Sequence, residues 1–122
     1  MARTAVAIKK LAGDAGNTPA TAVTIDATNH HVVDVAGKSN RLVLFVTNSH
    51  ASTKTVTIKA SDMFNALQAS MGDLEVSIAT SSTAVIGPLT SARFLQSDGT
   101  IHVNVAASMT GTISAYLVPD NI

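Results

Sequence analysis

The sequence predicts an all-β fold: an antiparallel β-sandwich, jelly-roll- or Ig-like, of about eight to ten short strands. Three observations carry this. Apolar and polar residues alternate at a period of two through most of the chain, as in Val56, Ile58 and Ala60 against Thr55, Thr57 and Lys59. Turn-forming clusters such as Ser49-His50-Ala51-Ser52-Thr53 and Asp98-Gly99 punctuate that alternation at fairly regular spacing. Helical periodicity is confined to one short stretch, so no strand–helix alternation argues for a parallel sheet.

Taken in order, residues 1–12 form an N-terminal arm or first strand, with Thr4 to Lys9 as its extended part. Residues 13–122 form one domain, which opens with the loop Gly13 to Thr21. Ala22 to Asp26 and His31 to Ala36 are the next strands. Arg41 to Asn48 is the most apolar segment. Leu42, Leu44 and Val46 share one face, and Val43 and Phe45 the other, as in a strand that is central or covered by a partner. Lys54 to Ala60 and Leu74 to Ile78 alternate cleanly and read as half-buried. Between them, near 61–71, lies at most one short helix. Ser61 or Asp62 would cap it, with Met63, Leu67 and Met71 on one face, and an ordered loop is the alternative. Thr83 to Gly87 and Leu89 to Leu95 are strand candidates separated by Gly87-Pro88, since proline removes a ladder donor. Thr100 to Val105 and Gly111 to Val118 complete the set.

The 122 residues are 46% hydrophobic and 13% charged, with a formal net charge of zero. Disorder requires the opposite balance. Nucleic-acid binding by charge requires a basic excess, and a membrane-surface stripe requires clustered cations, so neither partner is expected. Zero net charge favours association, in keeping with life inside an assembly. Without cysteine there is no disulfide and no thiolate nucleophile. Lys9 and Lys10 cut short the first apolar stretch, so synthesis in the cytoplasm without a signal peptide is expected.

The residues offer no recognisable catalytic or metal signature, and neither a cofactor nor enzymatic activity is expected. The four histidines include the adjacent His30 and His31, which in a strand point to opposite faces. His50 lies in a hairpin loop and His102 in a late strand; all four read as polar surface or turn residues. The acids form no calcium loop, and Asp14, Asp62, Asp73 and Asp98 suit turns. No nucleophile elbow or phosphate-binding glycine loop occurs. The aromatics are Phe45, Phe64, Phe94 and Tyr116. The phenylalanines read as core, which leaves Tyr116 as a weak stacking platform. A small enzyme would need acids or histidines converging in a buried cleft.

The segment Ile86-Gly87-Pro88-Leu89-Thr90-Ser91-Ala92-Arg93-Phe94-Leu95-Gln96-Ser97-Asp98-Gly99-Thr100-Ile101, with Val103 and Val105 after it, resembles a stretch in small proteins encoded among phage head genes. Arg41-Leu42-Val43-Leu44, Thr55-Val56-Thr57-Ile58-Lys59-Ala60 and Gly72-Asp73-Leu74 are similar as well. The likeness spans most of the chain after about Ala27 and is a pattern of core and turn residues, with no active site to map. It implies a phage virion protein of the capsid decoration, or head-stabilising, type, or another minor virion protein. Such a protein binds the major capsid protein lattice on the outer surface of the capsid, as a homo-oligomer, a trimer at three-fold or quasi-three-fold positions. A receptor- or glycan-binding module of a head or tail fibre is the alternative. The N-terminal arm is the candidate contact, through Ala2, Arg3, Thr4, Val6, Ile8 and Lys10. Its extended backbone would add a strand to a partner's edge. Equally, the arm is strand one of the sandwich.

Overall fold

The computed structural model describes residues 3–12, 16–35, 37, 41–61, 72–89 and 91–118. Ten strands form two sheets packed face to face. The first sheet runs β1 (Thr4–Ala5), β4 (His31–Asp34), β9 (Thr100–Val105), β6 (Lys54–Ile58), β7 (Leu74–Ile78). The second runs β2 (Ile8–Lys10), β10 (Gly111–Leu117), β5 (Leu42–Asn48), β8 (Ser82–Ile86). Here β3 (Val23–Thr24) pairs with β10 at Thr112 and Ile113, just before β2 takes over at Ala115.

The period-two alternation builds the core. Leu42, Leu44 and Val46 of β5, with Ile113, Ala115 and Leu117 of β10, face inward from the second sheet. All of these but Leu117 form one cluster with Val33, Val56, Ile58, Ile101 and Val103 of the first. Burying each large aliphatic side chain stabilises the fold by about 1.5–3 kcal/mol, and it is this packing that holds the two layers together.

Two ladders depart from the antiparallel expectation, and both belong to the arm. β1 runs parallel to β4, pairing Thr4 with His31. β2 runs parallel to β10, pairing Ile8 with Ala115. Between them Val6 turns inward and is buried, and its N–H donates to Val32 O at 2.9 Å. The expected single strand from Thr4 to Lys9 is therefore two short strands, one on each sheet.

Leu89 to Leu95 is not a strand. Ser91–Phe94 forms a single helical turn. Leu89 and Phe94 are both buried. In a strand, residues five apart point to opposite faces, so the turn is what brings both side chains into the core. Its end is tied to the preceding chain: Ser61 N–H donates to Arg93 O, and Gln96 Nε2 donates to Ala60 O at 3.0 Å. The short helix or loop expected near 61–71 lies, beyond Ser61, outside the described residues.

Gly111 opens β10 at φ 135°, where a side chain is strained. A Cβ there would also collide with the carbonyl of Thr47 on β5, so glycine is required for β10 to approach its neighbour.

Candidate docking surface

Strand alternation gives the two outer faces different chemistry. The first sheet turns Asp34, His102, Asn104, Thr55, Thr57, Glu75 and Ser77 outward, a largely polar face whose apolar members are Val32 and Ala5 beside His102. The second sheet turns out Thr47, Thr83, Thr112 and Ser114, but also Val43, Phe45, Val85 and Tyr116. The register places Val43 opposite Tyr116 and Phe45 opposite Val85. The apolar four thus form one strip across three strands.

Phe45 is 39% exposed and Val85 62% exposed. The rings of Phe45 and Tyr116 meet edge to face, with centroids 5.2 Å apart at 74°. Such pairs contribute about 0.5–1.5 kcal/mol beyond area burial, which holds both rings in place at the surface. The expectation that the phenylalanines are core holds for Phe94 and fails for Phe45; Phe64 lies outside the described residues. Both faces of β5 are apolar, so alternation sorted its residues into two sets without telling which set faces inward.

The strip floors a groove of about 360 Å³, walled by Leu11 and residues 17–19. Tyr116 Oη accepts the Ala20 N–H at 2.9 Å, and Asn17 Oδ1 accepts the Ala12 N–H at 2.9 Å. The first bond ties the wall to the sheet, and the second closes the loop on itself. Thr18 and Pro19 form a ridge, since they also line a second hollow of about 330 Å³ with Ile8 and Lys9. Lys9, opposite Tyr116 in the ladder, lines that second hollow and not the groove. Chemically, the groove suits an apolar side chain or a ring, with hydroxyl and amide groups at its margin.

The arm residues are engaged within the fold itself. Arg3 Nη1 donates to Asn104 Oδ1 at 2.6 Å and to the carbonyls of His31 (3.2 Å) and Val103 (3.4 Å). Thr4 Oγ1 donates to Asp26 Oδ2 at 2.6 Å, and Thr4 N–H to His30 O at 2.9 Å. Val6 is buried, Ile8 packs against the core, and Lys10 is exposed beside Leu117. Ala2 lies outside the described residues. A role for the arm as a strand donated to a partner would require all these bonds to break.

His31 differs from the polar surface residue expected. It is fully buried. Its Nδ1 bonds Thr4 O at 3.2 Å and its Nε2 accepts the Asp26 N–H at 2.9 Å. Accepting at Nε2 requires the neutral ring, and burial lowers its pKa to match. Asp26 is held well below the usual carboxylate range, chiefly by the Thr4 hydroxyl, and also by the N–H groups of Asn29 and Thr28. His30, left-handed at φ 62°, accepts the Val105 N–H at Nδ1 (3.1 Å). His50 pairs with Ser52 in the hairpin. These histidines pin loops. Among the described residues no three His, Asp or Glu side chains gather as a metal would need, and no helix is long and apolar enough to cross a membrane.

No family model, curated protein sequence or solved structure matches this chain.

Proposed function

We propose that this chain is a structural, non-catalytic virion protein that decorates a phage capsid, and that the outer face of its second sheet adheres to the major capsid protein lattice. The observation that carries the adhesive role is the pair of Phe45, 39% exposed, and half-buried Tyr116, which together line an apolar groove on the outer face of the second sheet. Aromatic anchors in pockets dominate protein–protein binding energy, and charged residues are depleted from interface centres. The capsid as partner rests on the resemblance of Ile86 to Ile101, Arg41 to Leu44 and Thr55 to Ala60 to phage head-gene products. On a repeated lattice each contact need only be weak, because multivalency multiplies it.

The test is co-sedimentation with decoration-free capsids. Phe45→Ser, which touches an exposed side chain, is expected to reduce binding at least about tenfold, the effect of losing about 1.4 kcal/mol. Undiminished binding by the folded variant overturns this surface as the contact. The paired rings beside Asn17 and Thr18 also suit stacking on a sugar, the arrangement a glycan-binding module would use. Retention on a glycan array, lost in the same variant and without capsid binding, would favour that second reading.

A further inference from the structure

We infer that β8 is a self-association edge, which pairs antiparallel across a two-fold axis with β8 of a second copy of this chain. The inference goes beyond the capsid reading and does not rest on it.

Natural sheets blunt their open edges with charge, brevity or bulges, because an open edge is a template for another strand. The edges of this sandwich can be compared with one another. β1 is two residues long. β2 carries Lys9 and Lys10. β7 carries Glu75 and follows Asp73, whose carboxylate binds Lys59 at 2.8 Å. β8 has none of these devices. Ser82-Thr83-Ala84-Val85-Ile86 contains no charge and no proline. Its register with β5 runs unbroken from Ser82 opposite Asn48 to Ile86 opposite Leu44, so no bulge bends it away. Among the described residues it pairs with β5 alone.

The chemistry of the edge selects its occupant. A row of backbone donors and acceptors binds extended backbone. The strand is complementary to itself: it is uncharged and rich in β-formers, so a second β8 brings no like charges together. The chain's zero net charge adds little long-range repulsion. A two-fold axis normal to the sheet keeps both outer faces on one side. Val85, 62% exposed at the edge, then joins the strips of Phe45 and Tyr116 from both copies into one. A three-fold axis cannot pair β8 with β8, so this contact gives a dimer where the resemblance implies a trimer. A five-residue edge buries less than the standard of about 800 Å² per partner, so dimerisation depends on concentration.

Sedimentation equilibrium across a concentration series tests this, with V85K and V85T as variants at an exposed position. The wild-type mass is expected to move from one chain toward two. V85K is expected to remain one chain, since lysine protects an edge, whereas V85T, which keeps the β-branch, is expected to dimerise. Wild type that stays monomeric, a trimer, or a dimer that V85K leaves intact overturns the inference. The chain has no cysteine, so T83C and V85C each supply a lone thiol on the outer face of β8. Mild oxidation of the dimer is expected to link T83C, V85C or their equimolar mixture through a disulfide. A persistent dimer with no cross-link in all three places the contact elsewhere and overturns the inference.

Discussion

At the scale of single residues, the buried polar side chains are the most exacting features. Asn48 is fully buried with every side-chain group engaged: Nδ2 donates to Ser52 O (3.0 Å) and Ile78 O (2.8 Å), and Oδ1 accepts the His50 N–H (2.9 Å). Asn48→Ala is expected to lower unfolding free energy by about 2–4 kcal/mol, because it orphans several buried groups. Asn48→Asp is expected to do worse, because it turns a carboxylate oxygen toward two carbonyls. Urea denaturation of both variants checks the order. His31 makes stability depend on pH. Its folded pKa lies below the ordinary 6.5 because the neutral ring is favoured. The unfolded chain therefore takes up the proton first as pH falls. The stabilisation is complete above the unfolded value and is lost as pH drops through and below it. Asp26, also lowered, adds a further loss in more acid solution, below its ordinary 3.8. Urea midpoints are expected to be flat from about pH 8 to about pH 7 and to decline toward about pH 5. His31→Gln, which cannot titrate, is expected to flatten that decline. None of this was legible in the sequence, where a histidine beside a strand looks like any surface histidine. Its burial follows from the arm closing over it.

At the scale of elements, the strands were legible and their partners were not. Lys54–Ile58, Leu74–Ile78 and Thr100–Val105 fall where alternation puts them, because each buries one face. The stretch Leu89 to Leu95 reads as a strand but holds the helical turn Ser91–Phe94, because a segment that short fits a strand period as easily as one helical turn. For the arm, residues 1–12, the pattern leaves a partner-binding extension and a first strand equally open, because it carries no information about which sheet each residue joins. Two predictions belong here. Gly111→Ala is expected to lower stability by about 1–3 kcal/mol from backbone conformation alone, and by more through its collision with the Thr47 carbonyl. Val6→Ala, which empties the site where the arm passes between the sheets, is expected to lower it by about 1–3 kcal/mol. Thermal melts by circular dichroism check both.

At the scale of the whole molecule, the sandwich has one polar outer face and one that carries an apolar strip. The candidate surface was only half legible. Val43 and Phe45 sit opposite Leu42, Leu44 and Val46 in the sequence pattern, yet a strand apolar on both faces does not reveal its inward side. The tertiary pairing of β5 with β10 decides it, by placing Phe45 beside Tyr116. Because Phe45 is only 39% exposed and meets Tyr116 edge to face, Phe45→Ser is expected to lower unfolding free energy by about 1–3 kcal/mol while it weakens adhesion at least about tenfold, so adhesion is compared where circular dichroism shows the variant folded. The same apolar character predicts that binding to a partner varies little between low and physiological salt, since no exposed ion pair dominates the strip. Titration of the complex at several ionic strengths checks this.

The order in which strands lie across the second sheet also bears on how the chain is made. β10 stands between β5 on one side and β2 and β3 on the other. On a ribosome, Ile8 must wait for Ala115 to emerge before it finds its neighbour. A nascent chain stopped short of Gly111 leaves three earlier strands without their shared partner. The second sheet is therefore expected to close only once Gly111–Leu117 has left the ribosome, at the millisecond-to-second pace of all-β topologies dominated by distant pairings.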